Sequence, residues 1–510
     1  MTLAHNLGVA IVGVHAQLVE IEADISSGLP GMSFTGLADT SVVESRERIR
    51  AALLNSGASW PNRRITVALL PADLRKVGSR FDLAVAVVVL ACDQQVLASA
   101  VAEAAWIAEL GLDGRLRPVR GVLPSVAAAR DCGVRRVVVA EGNAAEAALV
   151  PGIDVRAARD LRQVLGWLRG EGPTLPRAES DPEPVCPEPG PDLADVAGQV
   201  LAKRAIELAA AGGHHLYLLG SPGAGKTMLA ERLPGLLPAL DDAASLEVTA
   251  VHSVAGILGE RARLIRRAPL QAPHHTASIA ALVGGGAHLA RPGAISLAHR
   301  GVLFLDEAPE FSTGALEALR QPLESGSVVL HRQGGAVRYP ARFQLVLAAN
   351  PCPCGARMRD CICAPQVRRR YQHRLSGPLL DRIDVRVQVD PVAHADLFGT
   401  GEHREGSAAV ALRVSTARDT ARGRWRATAW RLNGEVPGSA LRAAPWRLSP
   451  AAVAPAERYL QRGELSARGF DRVLRLAWTL ADLAGRVAPQ ADDVAEALFF
   501  RTGRSESWVA

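Results

Sequence analysis

Short apolar runs that stop at a polar or acidic residue recur between residues 215 and 350, and each predicts a buried strand. His215-Leu216-Tyr217-Leu218-Leu219 is the first. Gly301-Val302-Leu303-Phe304-Leu305 is the second and stops at Asp306-Glu307. Leu345-Val346-Leu347-Ala348-Ala349 is the third and stops at Asn350. Helical stretches alternate with them, the first starting over Met228–Leu233, so the segment predicts a doubly wound α/β sheet. The rhythm changes at Val328–Tyr339, where two alternating arms flank Gly334-Gly335 and predict a β-hairpin. Residues 408–510 read as helical, closing on Val494-Ala495-Glu496-Ala497-Leu498. The longest apolar run, Leu83–Cys92, falls short of the ~18 residues a bilayer span needs.

Gly170–Pro191 breaks the pattern. Prolines recur there among acidic residues, a composition that builds no core and stays extended. The chain therefore divides into an N-terminal domain (1–168), a linker (169–191), a nucleotide-binding core (192–400) and a helical C-terminal domain (401–510). The N-terminus lacks a basic leader segment, which predicts a cytoplasmic protein with no membrane partner. A net charge of +6 is compatible with nucleic acid without requiring it.

The loop after the first strand carries the chemistry. Gly220-Ser221-Pro222-Gly223-Ala224-Gly225-Lys226-Thr227 fits G-x-x-x-x-G-K-[ST], in which backbone N–H groups at a helix start cradle the phosphates of ATP. Of the chain's 58 basic residues only Lys76, Lys203 and Lys226 are lysines. One of them stands in this loop, where a planar guanidinium does not freely replace a compact ammonium. Lys226 is expected on the β/γ phosphates, and Thr227 and Asp306 on Mg2+. Glu307 is expected to polarise the attacking water and Asn350 to orient it.

Seven cysteines in a long chain expected to be cytosolic argue against a disulfide framework. Cys186 falls in the linker and is read as a bystander. Cys352-Pro353-Cys354 and Cys361-Ile362-Cys363 offer four thiolates, the ligand count of a structural Zn2+ site. A redox-labile cluster is the alternative. Lying between Asn350 and Arg382, the cluster reads either as a brace for the strand and segment that carry them or as a DNA contact through Arg357, Arg359, Arg368, Arg369 and Arg370, the last three of which also fit a solvated basic face.

These residues together resemble an AAA+ ATPase, with Walker A at 220–227, Walker B ending at Asp306-Glu307 and Asn350 as sensor 1. Four further segments narrow the resemblance to the YifB/ComM family of magnesium-chelatase-like proteins, over essentially the whole chain. They are Asp195-Val196-Ala197-Gly198-Gln199, Ala211-Gly212-Gly213-His214-His215, Ala272-Pro273-His274-His275-Thr276, and Ser376 to Asp384. The resemblance implies an AAA+ P-loop core with a helical lid, a homohexameric ring, and DNA branch-migration helicase activity in natural transformation. It makes Arg382 the finger that reaches a neighbour's ATP, and Ser466–Phe470 the sensor-2 segment that brings Arg468 near the γ-phosphate. It makes 250–300 the helix-2 insertion and Val328–Tyr339 the pre-sensor-1 hairpin. Arg332 and Arg338 are then DNA phosphate contacts, or ordinary charges on a solvated tip. His274 and His275 read as metal ligands or, with no acidic cluster near them in sequence, as residues in a structural or subunit-contact role, which is the reading favoured here. The arginines from Arg413 to Arg431 read as basic lid surface or as DNA contacts.

Lys76–Leu83 and Gly114–Gly121 resemble the α+β domain of Lon proteases. Lon chemistry needs a serine activated by a lysine. The position matching that lysine falls at about Leu123, and no lysine follows Lys76 in the domain. Ser79 is left unactivated, so the domain is expected to be a scaffold or an interaction and DNA-contact module. Lys76 itself reads as a phosphate contact or, the favoured reading, as an exposed loop charge. Two other functions fit the same motifs. A magnesium-chelatase motor subunit would remodel a protein complex, and the Lon-like domain and four cysteines argue against it. A DNA-binding regulator would use ATP only to control assembly.

Overall fold

The computed structural model describes residues 2–180, 190–259, 262–286, 290–332, 335–356, 361–394, 396 and 404–503. Cys186, the Gln333-Gly334 tip, Arg357 and Arg359 therefore lie outside the described residues.

The N-terminal domain is α+β. Its strands are β1 Thr2–Val12, β2 His15–Ser26, β3 Gly31–Thr35, β4 Arg64–Leu70, β5 Ala104–Ile107, β6 Arg136–Ala140 and β7 Asp154–Ala158. They form one mixed sheet in the order β3-β4-β2-β1-β5-β6-β7. Val19, Ile21, Ala23 and Ile25 point to one face of β2 and are buried, the period-two pattern of a half-covered strand. The apolar run near residue 83 is a helix, Asp82–Cys92, buried along its whole length inside this domain. Among the described residues no helix is long and apolar enough to cross a membrane.

Lys76 corrects the sequence reading. It is fully buried, and its ammonium donates to the carbonyl of Pro71. A loop position flanked by charge gives no local sign of such burial. Leu123 is also buried, and its N–H donates to Glu146 Oε1 at 2.9 Å. The Ser79 hydroxyl donates to Glu109.

The core sheet is wholly parallel. It contains β8 Leu216–Gly220, β9 Leu270–Gln271, β10 Val302–Leu305, β13 Gln344–Ala349 and β14 Val385–Val389, in the order β9-β10-β13-β8-β14. The three apolar runs are β8, β10 and β13, in the middle of the sheet where both faces are covered. The two edge strands escape the pattern, β14 because it alternates and β9 because it is only two residues long. Between β10 and β13 the hairpin forms, β11 Ser327–Arg332 pairing antiparallel with β12 Gly335–Pro340. Val328, Leu330 and Tyr339 seat its base in the core, and the Tyr339 hydroxyl donates to the Ala290 carbonyl.

The C-terminal domain is helical: Ser407–Arg424, Pro450–Gln461, Ala467–Leu483 and Ala491–Thr502. Trp425 is fully buried at its centre, with the rings of Trp446, Trp430 and Trp478 centred 4.7, 5.9 and 6.3 Å away. Three of its arginines turn inward. Arg413 pairs with Glu207 at 2.6 Å and Arg418 donates to the Ala210 carbonyl at 2.8 Å, both on the core helix Val200–Gly212. Arg424 pairs with Asp482 inside the lid. Arg413 and Arg418 thus tie the lid to the core and Arg424 braces the lid itself, rather than forming a free basic face.

The N-terminal domain docks on the core through two helices, Val122–Asp131 and Asp242–Ala255. The Gly121 N–H donates to the Ser253 carbonyl at 3.1 Å, and the Ser253 hydroxyl donates to Glu146. The β1–β2 turn reaches the hairpin. Gly13 has φ +69°, and a Cβ there would lie 2.7 Å from the carbonyl oxygen of Arg338.

Candidate nucleotide site

The phosphate loop, Asp306 and Asn350 all follow C-terminal ends of central parallel strands, the edge where such sheets bind ligands. Gly223 and Gly225 have φ of +76° and +94°, the left-handed region that turns successive N–H groups to one side. The helix Lys226–Leu236 starts directly behind them. Lys226 is buried, and its Nζ donates to the carbonyls of Gly220 (2.7 Å) and Ser221 (2.9 Å) and to Asn350 Oδ1 (3.0 Å). Burial lowers its pKa, opposed by Asp306 and Glu307. Thr227 Oγ1 donates to Asp306 Oδ2 at 2.7 Å. A hydroxyl and a carboxylate so placed are the hard-oxygen donors that Mg2+ takes beside a nucleotide's phosphates.

Glu307 adopts φ +48°, a strained conformation for a non-glycine residue. Its N–H donates to Asp306 Oδ1 at 2.8 Å, and its carboxylate lies 3.3 Å from His275 Nδ1. His275 thus meets one carboxylate that its sequence neighbourhood did not show, although no acidic cluster forms around it among the described residues. The two are far apart in sequence and meet because β9 and β10 are neighbours. The Ala-Pro-His-His-Thr run was the available signal, but it did not name the partner.

Arg382 and Arg468 sit elsewhere. They line one pocket with Arg472, Arg475, Glu324 and Asp384, which contains no residue of the phosphate loop. The N–H groups of Asp384 and Val385 donate to the His215 carbonyl, so this pocket stands at the N-terminal edge of the sheet. The phosphate loop leaves the other end of β8, roughly 13 Å away at ~3.3 Å per residue. Arg382 pairs with Glu324 and donates to the Pro378 carbonyl at 2.6 Å. Burial and the guanidiniums of Arg320, Arg468 and Arg472 lower its pKa. Arg472 pairs with Asp384, anchoring the lid helix that carries Arg468.

Cys352, Cys354, Cys361 and Cys363 converge, all four Sγ atoms lying within 4.8 Å of one another. Arg338 is exposed on β12; Arg332 ends β11, and its side chain lies outside the described residues.

A five-stranded parallel sheet of this order, with a glycine-rich loop, paired carboxylates and a strand-end asparagine, defines a P-loop ATPase core of the AAA+ type. Three family models match the chain. Residues 21–143 match one described as subunit ChlI of Mg-chelatase, 192–397 match magnesium chelatase subunit ChlI, and 404–501 match its C-terminal part. An uncharacterised protein of Mycobacterium tuberculosis is 54% identical over 98% of this chain and 99% of its own length. Competence protein ComM of Haemophilus influenzae is 41% identical over 98% of each chain. The uncharacterised protein YifB of Escherichia coli is 41% identical over 93% of this chain and 92% of its own. The chain belongs to the YifB/ComM family of magnesium-chelatase-like AAA+ ATPases. The 21–143 match carries the chelatase description too, so the N-terminal domain by itself does not separate the family from chelatase subunits.

Proposed function

We propose that this protein is a cytoplasmic ATP-hydrolysing motor that works as a homohexameric ring on DNA, as a branch-migration helicase. One observation carries the reading: the phosphate loop and the Arg382/Arg468 pocket occupy opposite ends of one sheet. No single subunit can bring them to one nucleotide, whereas a head-to-tail ring brings the arginines of each subunit to the loop of the next. Arg382 and Arg468 then neutralise charge that develops on the γ-phosphate, supplied in trans. Within the other half-site Lys226 binds phosphate, Thr227 and Asp306 hold Mg2+, Glu307 polarises water and Asn350 orients it. Near full-length likeness to a protein named for competence supports DNA as the substrate, as does the hairpin bearing Arg332 and Arg338. The four thiols hold structural Zn2+, a soft-donor set of tetrahedral size.

The test is ATP hydrolysis with Holliday-junction, forked and linear DNA. Turnover that does not rise with any of them rules out the DNA motor. A second reading, a protein-remodelling ATPase, draws on the chelatase descriptions of the matched family models. It predicts hydrolysis indifferent to DNA.

A further inference from the structure

The cysteine cluster does not stand clear of the nucleotide site. Cys352 follows Asn350 by two residues and is buried, while Cys354 is exposed. The Sγ separations are 3.0 Å for Cys352–Cys354, 3.3 Å for Cys352–Cys361 and 3.6 Å for Cys354–Cys361. Four thiolates about one metal at ~2.3 Å would stand about 3.8 Å apart, so a small adjustment admits the ion.

Directly after the first cysteine pair, Gly355 lies against the phosphate loop. Gly355 has φ +71°, and a Cβ there would lie 2.7 Å from Cγ and 3.2 Å from Cδ of Pro222. Pro222 is the third residue of the Gly220–Thr227 loop. Directly before Cys352 the Pro351 carbonyl accepts from Gln372 Nε2, on the helix Pro365–Gln372, at 3.2 Å. The contacts close a circuit. Lys226 binds Asn350, Asn350 leads into the cysteine turn, and the turn rests on Pro222 of the loop that ends in Lys226.

We infer that the four-cysteine turn is a strut beneath the phosphate loop, and that metal bound by its thiolates sets the affinity of that loop for nucleoside triphosphate. The inference rests on the zinc reading above and adds a role to it. A tetrathiolate site ties Cys352 and Cys354 to Cys361 and Cys363. That removes conformations the loop would otherwise lose on binding phosphate. The same contact explains why position 355 needs glycine twice over, for its φ and for its closeness to Pro222.

Equilibrium binding of a fluorescent ATP analogue to the full-length protein, with zinc counted by atomic emission, tests this. Chelation of the zinc is expected to weaken binding about ten-fold. Chelation can also unfold the turn wholesale, so Gly355→Val, which keeps all four thiols, is the second arm. It is expected to retain its zinc and still lose about ten-fold in affinity. If the purified protein holds no zinc, the zinc reading fails and takes the inference with it. If zinc is present but neither chelation nor Gly355→Val changes the affinity, the inference fails alone.

Discussion

Nδ1 of His275 lies 3.3 Å from Oε2 of Glu307, so the loop after β9 holds the carboxylate that follows β10. A base is most effective when one neighbour fixes its rotamer. His275→Ala is expected to lower kcat for ATP about ten-fold with KM unchanged, and His275→Gln, which keeps a donor, to recover part of it. Steady-state kinetics at saturating Mg2+ reads both. Glu307→Gln should bind nucleotide normally and turn over at least ~100-fold more slowly.

Lys226 and Arg382 belong to different nucleotide sites if the ring reading holds. Lys226→Ala and Arg382→Ala are each expected to be inactive. Mixing them in equal amounts should restore activity, because about a quarter of randomly assembled interfaces pair an intact loop with an intact finger. Mixtures as dead as the separate variants would show that the two residues do not act across subunits.

Glu146 joins the N-terminal domain to the core by accepting from Leu123 of its own domain and from Ser253 of the core. Glu146→Ala leaves both donors buried without that partner. A loss of about 1–3 kcal/mol is expected for the docked domain. Faster proteolysis of the 169–191 linker at unchanged ATP affinity would report it.

His215 makes the fold acid-sensitive. Burial pushes its imidazole from 6.5 down to about 4, and its Nδ1 accepts the Leu345 N–H at 3.0 Å. The folded chain therefore favours the neutral ring, while the unfolded chain takes up a proton near the ordinary value. The contribution is full above pH 6.5 and is lost as the pH falls toward 4. At about pH 5 the loss is roughly 2 kcal/mol, measured by urea unfolding, and His215→Gln should remove it. Glu247, held at about 2 by His299 and then Arg300, weakens the fold only below its ordinary 4.5, a separate window.

The sequence by itself determined whatever is encoded in consecutive residues. The phosphate loop, the Asp306-Glu307 strand end, Asn350, the hairpin arms and the two cysteine pairs each declare themselves because one local backbone path fixes their geometry. The buried central strands were legible for the same reason, as continuous apolar runs. Only the tertiary structure decided which distant residues meet. Strand order put His275 beside Glu307. The direction of β8 and β14 set Arg382 and Arg468 at the far edge from Lys226. Packing buried Lys76 and laid Gly355 against Pro222. Such pairings depend on how strands align and helices cross, and no short window of residues carries that information.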